Sequence, residues 1–225
     1  MYNNSQQAPP FENDECLTKG LCSVNPTLNS IQEIVMLHIK QLAFYILKLK
    51  ELGGENAVIK ELIISSLFNI VTNAEYNQEE FHTLITKMDQ NIAQSKTVYE
   101  NFCQKNNIPS ESIKTYFKHG KNFDLTDAII KGEKYFLKKI NSFTHEQKAL
   151  FDIMLFLVKS ITIKIVEAQR LEIGYDEAYY AILDILNAMN FADFSEAEAK
   201  KEISNFLHSY YKIVKEIFYA QIKAY

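Results

Sequence analysis

The run Leu67-Phe68-Asn69-Ile70-Val71-Thr72-Asn73-Ala74-Glu75-Tyr76-Asn77 decides how the chain is read. Its first half closes an apolar stripe at helical spacing, made of Val58, Leu62, Ile63, Leu67, Phe68 and Val71. Thr72 to Tyr76 is a polar turn, and Asn77 is the N-cap of the next helix. Upstream, Ile31, Ile34, Val35, Leu37, His38, Leu42, Tyr45, Ile46 and Leu49 recur at the same spacing until Gly53-Gly54 stops them. Downstream, Phe81, Leu84, Ile85, Met88, Ile92, Ser95, Val98, Tyr99 and Phe102 continue to Ile108-Pro109. Helices are therefore predicted over 31–52, 56–72 and 78–106, and their short connections predict an antiparallel three-helix bundle.

The same pattern returns 118 residues later, the step from 67 to 185. Val35-Met36-Leu37 aligns with Ile153-Met154-Leu155, Leu67-Phe68-Asn69 with Ile185-Leu186-Asn187, and Ala74-Glu75-Tyr76 with Ala192-Asp193-Phe194. Thr144 caps a second set of helices predicted over 145–171, 176–190 and 196–224, with a break at Gly174. The expected fold is all-α: two three-helix bundles related by internal duplication. A flexible tail and cysteine loop occupy 1–26, the first bundle 27–108, a helical connector 109–143 and the second bundle 144–225. Short helical pieces are expected in the connector around 110–118 and 124–140.

Composition agrees. Hydrophobic residues make up 47% and charged residues 23%, ordinary for a globular protein, and Gly (6) and Pro (4) are too scarce for many tight turns. The net charge of −4 comes without a Lys/Arg-rich run, which argues against nucleic acid as the partner. No uninterrupted apolar stretch reaches membrane-spanning length, and the polar start MYNNSQQAPPFENDE has no signal-peptide pattern, so a cytoplasmic protein is expected. Three cysteines without an export signal favour thiols or metal ligands over disulfides.

Two of those cysteines, Cys16 and Cys22, flank Lys19-Gly20 just ahead of the first long helix. Gly20 allows a tight turn that exposes backbone N–H groups, and two thiolates there are half of an iron–sulfur or zinc site. The alternative is a pair that is free or joined in a local disulfide. The third, Cys103, lies on a helix beside Phe102, where a cysteine behaves as a small hydrophobe.

Cys16-x5-Cys22, with Lys19-Gly20-Leu21-Cys22, Pro26 and Ile31-Gln32-Glu33-Ile34, resembles the N-terminal helical domain of the hybrid cluster protein. That family is also called hydroxylamine reductase and is related to the nickel carbon monoxide dehydrogenases. Leu67 to Tyr76 and Phe81 resemble the same domain's second helix and turn. The resemblance covers roughly 16–225, with its specific motifs at 16–37 and 62–81. It implies two three-helix bundles with a cysteine-bound cluster, [4Fe–4S] in type, at the N-terminus. Cys16 and Cys22 would be its ligands and Lys19-Gly20 its wrapping backbone. The family's preceding Cys-x2-Cys has no counterpart in 1–15, so the expected arrangement is a homodimer in which two chains pool their pairs around one cluster. The family's α/β catalytic domains fall outside the resemblance, so its reductase chemistry is not carried over and no catalytic residue is assigned. Electron transfer to a redox protein partner, or redox sensing, is the function implied. A metal-free helical interaction protein that has lost the cluster is the alternative.

A further reading rests on Glu79-x-x-His82, the ligand spacing that di-iron bundles use twice. The aligned position of the second half is Lys200, and Glu79 and His82 fall in a first helical turn where acidic residues are commonly solvated. His38, His119, His145 and His208 are scattered without a nucleophile at catalytic spacing, and no phosphate-binding glycine motif occurs. The aromatics of the last helix, Phe206, Tyr210, Tyr211, Phe218, Tyr219 and Tyr225, read as core with an exposed part able to form a homodimer surface.

Overall fold

The computed structural model describes residues 26–53, 57–113, 123–189 and 194–223. Seven helices appear among them: α1 (Pro26–Glu51), α2 (Ala57–Val71), α3 (Gln78–Lys105), α4 (Leu125–Ser142), α5 (His145–Arg170), α6 (Asp176–Ala188) and α7 (Glu196–Lys223). No strand occurs among the described residues, so the fold is all-α.

The helix boundaries follow local chemistry. Asn77 and Thr144 each close a capping box, with Glu80 and Gln147 reaching back to the cap backbone N–H, and the Asp124 side chain accepts from Asp127 N–H. Three helices end on a left-handed residue, Asn73, Asn107 and Glu172, whose φ angles are 52, 54 and 56°. In each, the next N–H reaches back five residues: Ala74 to Asn69, Ile108 to Cys103 and Ile173 to Ala168, all at 2.9 Å. The break after α5 is therefore made at Glu172, not at Gly174.

α1 is the centre. Its Ile34, Val35, Ile39, Leu42 and His38 have essentially no exposure, and even Gln32, Lys40 and Gln41 are buried. A stripe of one face was expected; burial all round follows because α3, α4 and α6 pack closely on it and α2 more lightly. The His38–Asp89 and Tyr45–Tyr99 contacts show that α3 runs parallel to α1. α5, α6 and α7 pack on one another as expected.

Two helices sit differently from the sequence expectation. The segment read as a connector supplies α4, which packs along α1 as closely as α3 does. Its inner face is Leu125, Ala128, Gly132 and Tyr135, and a β-carbon on Gly132 would lie 2.0 Å from the Ser30 carbonyl oxygen. Backbone meets backbone there through small residues, which a search for large apolar residues passes over. α2 packs chiefly on α5 and not to any comparable extent on α3. The halves are thus interlocked: α2 leans on α5, and α6 leans on α1. The reciprocity is incomplete, because α6 also packs tightly on α7. Residues 110–113 of the connector are not helical.

The matched positions Leu67 and Ile185 are both buried, at 2% and 0% exposure. Of the third aligned trio, Ala192 and Asp193 lie outside the described residues.

Candidate functional site

Cys16, Lys19, Gly20 and Cys22 lie outside the described residues. The structure does define where their segment enters the fold, at the first turns of α1, and three neighbours hold that end. On one side Gly132 of α4 lies against the Ser30 backbone. On another, Gln32 Nε2 donates to Asn73 Oδ1 at 3.3 Å and to the Ile70 carbonyl at 3.5 Å, tying α1 to the end of α2. On the third, Glu33 faces Lys159 of α5, and a narrow groove lined by Asn29, Gln32, Glu33, Met36 and Lys159 runs between them.

Charge is handled closely here. Burial pulls Lys159 below the ordinary lysine pKa while the Glu33 carboxylate pushes it back up. Burial raises the Tyr135 phenol pKa, and Glu33 adds to the rise. The Glu33 carboxylate thus acts on both the half-buried Lys159 and the half-buried Tyr135 at this end of α1. Sequence reading used Glu33 only as part of a motif and missed Lys159 and Tyr135. The three lie on α1, α5 and α4, so no spacing along the chain reveals them.

Cys103 is 1% exposed on α3, in the core position expected of it. His38 is fully buried, its Nδ1 lies 2.7 Å from the Ile34 carbonyl, and its Nε2 faces Asp89 Oδ1 at 3.5 Å. A carbonyl only accepts, so Nδ1 donates to Ile34 within α1, while Nε2 sits beside the Asp89 carboxylate of α3. Glu79 and His82 are exposed at the start of α3, with His82 Nδ1 3.3 Å from Thr86 Oγ1. Among the described residues no group of three His, Cys, Asp or Glu side chains could hold a metal ion. Among them, too, no helix is long and apolar enough to cross a membrane.

A second concavity lies between the end of α1, α6 and α7, lined by Lys50, Glu177, Tyr180, Asp184, Glu202 and Ser209. The Lys50 ammonium stands 3.3 Å from the Tyr180 ring centre. Desolvation of the carboxyl within the cleft and the neighbouring Glu202 push Asp184 above its ordinary pKa. At ≈ 230 Å³ this cleft falls below the roughly 300–1,000 Å³ of small-molecule sites.

With this geometry in place, comparison with known proteins turns on the helical region. A hydroxylamine reductase of Halothermothrix orenii is 23% identical over 181 residues, which is 74% of this chain and 30% of that protein. The chain is similar to hydroxylamine reductases. The enzyme of Geobacter sulfurreducens matches at 27% over 134 residues, 52% of this chain and 24% of that protein. That of Clostridium novyi matches at 26% over 99 residues, 44% and 17% respectively. The chain thus spans less than a third of the length of these curated relatives. No family model matches it. The resemblance drawn from the cysteine loop and the Leu67–Phe81 stretch therefore holds as homology at modest identity, consistent with a helical domain of that family.

Proposed function

We propose that the chain is a helical domain of the hydroxylamine reductase type that binds an iron–sulfur cluster through Cys16 and Cys22, for electron transfer or redox sensing. The observation that carries the reading is the similarity to hydroxylamine reductases, which in the longest match covers 74% of the chain. The donor set fits half of a four-cysteine cluster. The chain has three cysteines, and Cys103 is sealed in the core at 1% exposure, so one chain offers two thiolates. The other two come from a second copy, in a homodimer that pools its loops around a [4Fe–4S] centre. Cys16 and Cys22 would hold the cluster, with Lys19 and Gly20 between them in the sequence. The cluster would supply one-electron transfer when bound, and the segment that carries Cys16 and Cys22 joins the described fold at the start of α1. A redox protein is the partner this function requires, in the cytoplasm, where thiols stay reduced.

Visible absorption of anaerobically purified protein tests this. Broad charge-transfer absorption that disappears in the Cys16→Ala/Cys22→Ala variant supports it; a colourless wild-type protein, also after reconstitution with iron and sulfide, overturns it. The second reading, a metal-free helical interaction protein, is favoured by the apolar surface of α5 and α7 described next.

A further inference from the structure

Eight of the twelve exposed large apolar side chains among the described residues lie on two helices. α5 carries Ile153, Phe156 and Ile163, at 46, 68 and 46% exposure. α7 carries Leu207, Tyr211, Phe218 and Ile222, at 51, 63, 57 and 54%, and Tyr219 turned further round the helix. All but Tyr219 form one surface. Lys200 reaches Glu146 and Gln221 reaches Glu167, so α5 and α7 run parallel with a shift of 54 residues at both ends (146 to 200, 167 to 221). At that shift Ile153 is level with Leu207, Phe156 with Tyr211 and Ile163 with Phe218, to within a residue.

Azimuth agrees with level. On α5, Phe156 and Ile163 are rotated from the Glu146–Glu167 line away from the buried Met154, Leu157 and Ile161. On α7, Tyr211, Phe218 and Ile222 are rotated from the Lys200–Gln221 line away from the buried Phe206, Ile213 and Ile217. Both sets face the outer side of the same α5/α7 seam, opposite α6.

The seam is symmetric about its own middle. Leu207 and Tyr211 lie as far before the midpoint of Val214 and Lys215 as Ile222 and Phe218 lie after it. Phe156 and Ile163 flank the midpoint of Lys159 and Ser160 in the same way, and the two midpoints are level on the paired helices to within a residue. An isologous interface demands this of a surface, since a two-fold axis brings each residue to the mirror position of the same patch.

The geometry points to a homodimer formed by the α5/α7 seam, in which α5 lies antiparallel on its own copy and α7 on its own copy. Leu207 then meets Ile222 of the partner subunit, Tyr211 meets the partner's Phe218, and Phe156 meets the partner's Ile163. The small Ser160 at the centre lets the two α5 backbones approach. This interface does not rest on the cluster reading, because Cys16 and Cys22 take no part in it.

The test uses the full chain carrying Cys16→Ala and Cys22→Ala, so that no cluster can join two copies. Sedimentation equilibrium should show a dimer. Phe156→Glu or Phe218→Glu should raise its dissociation constant about 30-fold or more, as for aromatic anchors at an interface centre, with the helical circular dichroism unchanged. In case these variants unfold, a mixture of Tyr211→Cys and Phe218→Cys chains should form a heterodimeric disulfide on mild oxidation. A monomer at tens of micromolar overturns the proposal. If the Tyr211→Cys thiol of that monomer is shielded from a bulky thiol reagent, residues 1–25 cover the seam instead; if it reacts freely, the seam is bare. A dimer indifferent to both charge substitutions, with no 211–218 cross-link, overturns it as well.

Discussion

Gly132→Ala measures how closely α4 is applied to α1. The added β-carbon would sit 2.0 Å from the Ser30 carbonyl oxygen, 2.6 Å from its carbon and 3.0 Å from Cα. All three atoms are backbone in the middle of a buried helix contact, so no side-chain rotation relieves the clash and the helices must separate. Overpacking of this kind costs about 1–3 kcal/mol, and a rigid obstacle puts the cost at the upper end, ~3 kcal/mol. Replacing glycine inside a helix returns ~1 kcal/mol through helix propensity. The net expectation is a loss of about 2 kcal/mol, or a fall of roughly 4–8 °C in Tm for a chain of this size. Urea unfolding followed by circular dichroism reads it, with Gly174→Ala as the control. A β-carbon on Gly174 would meet no atom within 4 Å, and its φ is not positive, so alanine there should be neutral or stabilising by about 0.4–1 kcal/mol. If both substitutions behave alike, α4 does not lie on α1 as described.

Leu67→Ala and Ile185→Ala, at 2% and 0% exposure, should each cost about 2–5 kcal/mol in the same urea experiment. A cost below about 1 kcal/mol at either would contradict its burial. Thr144→Ala removes one half of a capping box and should cost ~1 kcal/mol, with Thr144→Ser close to wild type. Asp184 has a raised folded-state pKa, so the folded chain holds its proton more tightly than the unfolded chain. Its favourable contribution is complete below the unfolded value of 3.8 and is lost as pH rises through the folded value. Because Asp184 is an exposed residue, Asp184→Asn should raise the unfolding midpoint only slightly at neutral pH and give no gain in acid below that unfolded value; a midpoint that falls at neutral pH would refute the reasoning.

Much of this fold can be read from the residues. Six of the seven helices follow from apolar spacing, and Asn77 and Thr144 mark two helix starts to the residue. What the sequence hides is which helices touch. α4 is applied through Ala128 and Gly132, which carry almost no hydrophobic signal. α2 could have closed a bundle with α1 and α3 on pattern alone, and its preference for α5 is a matter of long-range packing. The candidate site was legible in a different way. Cys16, Lys19, Gly20 and Cys22 stand out as residue types in one short stretch. The contacts at the start of α1 do not, because Gln32 and Asn73, like Glu33 and Lys159, lie far apart in the chain. Local chemistry is written in spacing, whereas contacts between helices are not.

We propose a cluster held by two chains through Cys16 and Cys22. Iron and acid-labile sulfide per chain, measured after oxygen-free purification, test it most directly. One [4Fe–4S] centre shared by a dimer gives about two iron and about two sulfide per chain, and the Cys16→Ala/Cys22→Ala variant gives neither. Iron retained in that variant, or about four iron per chain in a protein that sediments as a monomer, would contradict the account.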